Sequence, residues 1–207
     1  MISRSCGLLP PLFMLALTAC GTVDYPRRAA PAAESVRTAP SERPAPSPAE
    51  RISALRQEIA LKLEAGEYRF ALNLLRKESK GMPEASLAEE YGRAINGLLG
   101  DAERHRKKGM PEKAGELLRF AHDGYPKTEA AAKHVDATPA EILALIEECA
   151  GELMERGLVA YRAGDLDEAI RMWKTIRAFS PRHQASRKAL ETAEVQRANL
   201  EKVGIEN

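Results

Sequence analysis

The stretch "AGDLDEAIRMWKTIRAFSP" (Ala163 to Pro181) decides the fold class, because its pattern recurs twice upstream. In it, Gly164 is followed five residues later by Ala169 and seventeen residues later by Pro181. The same spacing joins Gly66, Ala71 and Pro83 in "AGEYRFALNLLRKESKGMP" (65 to 83), and Gly109, Ala114 and Pro126 in "KGMPEKAGELLRFAHDGYP" (108 to 126). Glycine takes the left-handed backbone that ends one helix, and an alanine one turn into the next helix lets two backbones approach. Proline then stops that second helix. Between these marks apolar residues fall at helical spacing: Ala71, Leu72, Leu75; Ala114, Leu117, Leu118, Ala121; and Ala169, Ile170, Trp173, Ile176. One face of each second helix is therefore buried. In the third unit Asp165 is placed to cap the helix, with Glu168 three residues on to complete a capping box.

Outward from these units the chain stays helical in composition, rich in Ala, Leu, Glu, Arg and Lys from residue 51 to 207, with glycine and proline as punctuation. The segment from Glu84 to Lys108 reads as one long helix. "TPAE" (Thr138 to Glu141) is a helix start, with Thr138 as cap, Pro139 in the first turn and Glu141 completing a capping box, so a second long helix runs from about Pro139 to Arg162. After Pro181 a last helix carries Leu190, Ala193, Leu200 and Val203 on one side, a stripe that Arg197 interrupts, which favours a terminal cap over a dimerising coil. Cys149 falls in the stripe Ile142, Leu145, Ile146, Cys149, Leu153 and is expected as a small buried hydrophobe.

The repeated units resemble the tetratricopeptide repeat, a family of helix-turn-helix units with small or aromatic residues at fixed positions and a closing proline. The third unit, about Ala150 to His183, carries most of the resemblance through Gly157, Gly164, Leu166, Ala169, Trp173 and Pro181; Tyr161 lies one residue after the usual aromatic, and Ile176 stands where the family usually has alanine. The turn glycines are 43 and 55 residues apart, against a family period of about 34, so extra helical length is inserted between units. The resemblance implies an all-α, right-handed solenoid of helical hairpins with long inserted helices, closed by the C-terminal helix as a cap because an unpaired end would expose core. It also implies a concave groove, lined by first-helix residues, that binds peptide segments of partners. Carried over by register, the groove positions are Arg56 and Leu63 in unit one, Leu99, Arg106 and Lys107 in unit two, and Met154, Leu158, Tyr161 and Arg162 in unit three. A groove mixing apolar and basic side chains suits an amphipathic or acidic peptide.

The N-terminal segment has a different chemistry. The apolar run Leu8 to Leu17 follows Arg4 and contains Pro10 and Pro11; it is too short for a membrane helix, which needs roughly 20 apolar residues, and reads as the apolar part of an export signal. "LTAC" (Leu17 to Cys20) resembles the bacterial lipoprotein signal. That resemblance implies removal of residues 1 to 19, a thioether-linked diacylglycerol and an N-acyl chain on Cys20, and stable anchoring by several chains together. Gly21 lacks the aspartate that retains many such proteins at the inner membrane, which points to the periplasmic leaflet of the outer membrane. Residues 20 to 50 hold scattered prolines with almost nothing aliphatic or aromatic to bury, and are expected to form an unfolded tether. With Cys6 removed and Cys20 acylated, Cys149 is left alone and no intramolecular disulfide is expected.

The formal charge is +1, and Arg4 is the one charged residue before Cys20, so the chain from Cys20 onward is neutral. That balance gives no global electrostatic footprint for nucleic acid. His105, His122, His134 and His183 show no HExxH or close His/Cys pairing, and no G-x-S-x-G, phosphate loop or dinucleotide fingerprint is present, so neither metal nor catalysis is expected. The leading functional class is a tethered module that docks a protein or peptide partner in the cell envelope as a scaffold or assembly factor, with the membrane engaged through the lipid. The alternatives are a structural spacer that binds peptidoglycan or self-associates, and an envelope enzyme.

Overall fold

A computed structural model describes residues 46–204, and the described chain is all helical. The signal segment, Cys20 and the tether up to residue 45 lie outside the described residues. The elements are α1 (Pro48–Glu64), α2 (Tyr68–Glu78), a 3-10 turn (Glu84–Leu87), α3 (Ala88–Lys107), α4 (Pro111–Asp123), a short α5 (Glu129–Ala132), α6 (Pro139–Arg162), α7 (Leu166–Phe179) and α8 (Gln184–Lys202). Helix α1 begins before the boundary expected at residue 51. The Ser47 hydroxyl accepts the Glu50 N–H, the Glu50 carboxylate accepts the Ser47 N–H, and Pro48 fills the first turn.

The repeated glycines make the turns the spacing predicts. Gly66, Gly109 and Gly164 have φ of 72°, 69° and 85°, the left-handed region that ends α1, α3 and α6. Two expectations fail locally. Helix α2 ends at Glu78, ahead of Pro83, because the chain already turns through Gly81 at φ 81°. The single helix expected from Glu84 to Lys108 is divided into the 3-10 turn and α3: Leu87, at φ −127° and ψ 23°, leaves the helical path, and the Glu84 carboxylate accepts the N–H groups of Lys127 (3.1 Å) and Thr128 (2.8 Å). Helix α6 starts with the expected reciprocal box between Thr138 and Glu141. At α7 the box is only half made, since Asp165 accepts the Glu168 N–H at 3.0 Å while the Glu168 carboxylate turns to Arg171.

Packing follows chain order: α1 on α2, α2 on α3, α3 on α4, α4 on α6, α6 on α7 and α7 on α8. Cross-helix pairs show that α6 and α7, and α7 and α8, run antiparallel. Trp173 of α7 and Ser180 just after it meet Met154 and Glu147 of α6, and Asp167 and Lys174 of α7 meet Arg197 and Glu194 of α8, each pair of contacts in reverse chain order. The core is two clusters, one centred on Ile59, Leu72, Leu75 and Ile95, the other on Ile146, Leu153, Trp173 and Phe179. Leu99, Leu117 and Tyr125 pack against both and join them. Each fully buried aliphatic side chain contributes about 1.5–3 kcal/mol.

Helix α8 buries Leu190 and Ala193 against this body and leaves Leu200 half-buried. Val203 does not continue the stripe: it follows the last helical residue and is 67% exposed. Arg197 interrupts the apolar side for a structural reason, reaching back to Asp167 at 3.1 Å and tying α8 to the start of α7.

Candidate functional site

Helix α6 is the axis of the candidate site, because it packs on α4 and α7 and leaves one side open. Its buried residues are Ile142, Ile146, Cys149, Ala150, Leu153 and Gly157. Opposite them, Glu148, Glu152, Glu155, Val159 and Arg162 recur at alternating steps of four and three and are all exposed. Steps of four and three keep residues on one face of a helix with 3.6 residues per turn. The result is an outward stripe of three carboxylates followed by Val159, 64% exposed, and Arg162.

The expected groove residues do not all reach this stripe. Arg162 does, as part of it. Arg106 crosses from α3 to meet Glu148 at 2.7 Å and Glu152 at 3.8 Å, with its side chain 24% exposed. Lys107 pairs with Glu103 at 3.3 Å. Both cations are thus matched by carboxylates, which leaves Arg162 as the expected groove cation with no ion pair among the described residues. Met154, Leu158 and Tyr161 are half-buried and pack against the core, and the Tyr161 hydroxyl donates to Gln196 of α8. Tyr161 lies nine residues after Glu152, two and a half turns, so it leaves α6 on the side away from Arg106.

In the first units the departure is larger. Leu63 is 5% exposed and belongs to the core, so its side chain cannot line a groove. Leu99 sits between the two core clusters. Arg56 is exposed but engaged: its guanidinium meets buried Glu90 at 2.7 Å and donates to the Ser86 carbonyl, tying α1 to α3. Glu148, Glu152, Glu155 and Val159 are not among the groove positions carried over by register. The signal for them was present, since they are the face of α6 opposite the apolar stripe that Cys149 belongs to.

Among the described residues, cavities lie away from the stripe, including two lined by titratable groups. One, of ≈ 540 Å³, is lined by Arg119, His122, Leu143, Ile146, Glu147 and Arg182; in it the Ser180 hydroxyl donates to Glu147 at 2.7 Å. The other, of ≈ 500 Å³, holds Tyr91, Tyr125, Arg76 and Lys127, and the Tyr125 phenol is pushed up by burial and then by Glu141. Cys149 is buried, and burial pushes its thiol up to about 11, so it stays protonated and unreactive at neutral pH. Among the described residues no group of three His, Cys, Asp or Glu is placed to hold a metal ion, and no helix is long and apolar enough to cross a membrane. No family model matches the chain, and no curated protein matches it.

Proposed function

We propose that this chain is a lipid-anchored docking protein of the bacterial cell envelope, whose helical hairpins form a tetratricopeptide-like array that holds a protein or peptide partner. The "LTAC" sequence before the tether supports the anchor at Cys20, and Gly21 in place of a retaining aspartate supports the periplasmic leaflet of the outer membrane. Three hairpins with a left-handed glycine at the same place, each packed on the next in chain order, support the array.

The observation that carries the docking reading is the outward stripe of α6. Glu155 and Arg162 make no ion pair among the described residues, and Val159 between them is a large exposed apolar side chain. An apolar centre between opposite charges suits an amphipathic segment with a basic residue toward Glu155 and an acidic one toward Arg162. A photo-crosslinking side chain placed at Val159 tests this in the intact envelope, with the equally exposed Val195 of α8 as the control position. Docking predicts a discrete product at 159 that is absent at 195 and is lost on Glu155→Lys. Identical products at both positions, or none, refute it.

A further inference from the structure

Between α4 and α6 the chain makes an excursion that rests on α3 and on the 3-10 turn. Of residues 127 to 136 only Ala131 is buried, while Ala132 and Val135 are half-buried and the rest are exposed. So little apolar burial does not by itself fix ten residues. Main-chain hydrogen bonds shape the segment from Thr128 to Val135, and a pair of side-chain clamps ties it to the body. The Glu84 carboxylate takes the N–H groups of Lys127 at 3.1 Å and Thr128 at 2.8 Å, and the Asn96 amide donates to the His134 carbonyl at 3.1 Å and accepts the Asp136 N–H at 2.9 Å. Gly92, on α3 between them, lets the strap settle: a Cβ there would collide with the His134 carbonyl and side chain. A glycine inside a helix costs roughly as much stability as a hydrogen bond provides, so its presence needs such a reason.

In all four clamp bonds the strap contributes main-chain groups and the body contributes side chains. A surface that reads only main chain does not require this particular strap. We propose that residues 127 to 136 are a releasable strap, and that the surface beneath it, formed by Glu84, Gly92 and Asn96, docks the main chain of a partner segment bearing small apolar residues where Ala131 and Val135 now sit. This rests on the docking reading and adds a second surface to it, on the first part of the array, which the strap occupies until a partner displaces it. A partner segment gains the same four bonds and meets the same bare backbone at Gly92.

The test uses the full chain. Amide exchange is followed by NMR at Thr128 and Asp136, whose N–H groups are held by the clamps, against Ile95 in the middle of α3. The strap predicts much weaker protection at the two clamped amides than at Ile95; equal protection means that the strap opens only when the whole body does, and overturns the proposal. Asp136→Pro deletes one clamp donor and leaves the docking surface intact. It is expected to speed exchange at Thr128 about tenfold, the equivalent of one hydrogen bond. A fluorescent peptide of sequence PKTEAAAKHVDAT, residues 126 to 138, then binds the Asp136→Pro chain about tenfold more tightly than the parent, and Asn96→Ala in the same chain removes that binding. Loss of helical circular dichroism in Asp136→Pro, absence of peptide binding, or binding indifferent to Asn96→Ala each overturns it. Crosslinking at Val159 is independent of these readouts, so a failed strap with intact Val159 products removes this inference alone.

Discussion

The indole of Trp173 in α7 lies against the bare backbone of Gly157 in α6, so closely that a Cβ on residue 157 would overlap the ring. Trp173 is fully buried and is the chain's one tryptophan. Gly157→Ala gains about 1 kcal/mol of helix propensity but meets an overpacking cost of about 1–3 kcal/mol. The larger Gly157→Val is expected to lose about 3 kcal/mol. Urea titration followed by the single tryptophan's emission measures both; an unchanged midpoint for Gly157→Val means that the two helices do not pack this tightly.

Two other glycines separate conformation from space. Beyond the adjoining main chain, neither Gly164 nor Gly151 has a neighbour within 4 Å of where a Cβ would go, but Gly164 has φ 85° and Gly151 lies within α6. Gly164→Ala is therefore expected to lose roughly 1–2 kcal/mol, and Gly151→Ala to gain about 0.5–1 kcal/mol. The same substitution thus shifts the thermal midpoint in opposite directions at the two sites. Midpoints moving in the same direction contradict the left-handed turn.

The bridge from Arg106 to Glu148 links two helices that share few other contacts, with side chains 24% and 55% exposed. A double-mutant cycle with Arg106→Met and Glu148→Gln is expected to give a coupling of about 0.5–1 kcal/mol, as for partly exposed pairs. Repeating the cycle in 1 M salt is expected to shrink the coupling, because such a pair is still reached by counterions. Zero coupling at low salt excludes the Glu148 bridge and leaves Glu152, at 3.8 Å, as the partner of Arg106.

Acid sensitivity follows from the two capping boxes. Glu50 and Glu141 are held below the ordinary carboxylate value of 4.5, first by the main-chain hydrogen bond from Ser47 or Thr138 and then by the hydroxyl of the same residue. A depressed carboxylate adds stability that is present above the unfolded-state value and is lost as the pH falls through the lower folded value. Glu141→Gln is therefore expected to flatten the loss of stability below pH 4.5 while lowering stability at neutral pH. Urea midpoints across that range decide it, and an acid limb as steep as the parent's excludes the Glu141 box as its source.

Much of the fold was legible because it rests on local rules. Gly66, Gly109 and Gly164 mark turns wherever their helices point, since the left-handed conformation belongs to the residue itself. Thr138 to Glu141 starts α6 because both halves of its box lie within one turn. Cys149 is buried because its apolar neighbours recur at helical spacing. The division at Leu87 was not legible, since it depends on Glu84 finding amides more than forty residues away in sequence.

The sequence by itself therefore determined the long helices, most of their ends and the inward stripe of α2, α4, α6 and α7. Only the tertiary structure decided the outward face. Arg106 is spent on Glu148 and Glu152, Tyr161 is held by Gln196, and Leu63 is sunk in the core, because each outcome depends on how two helices are rotated about their axes when they meet. Helical periodicity places side chains around one axis but carries no information about the neighbour's rotation, which is fixed by packing of residues distant in the chain.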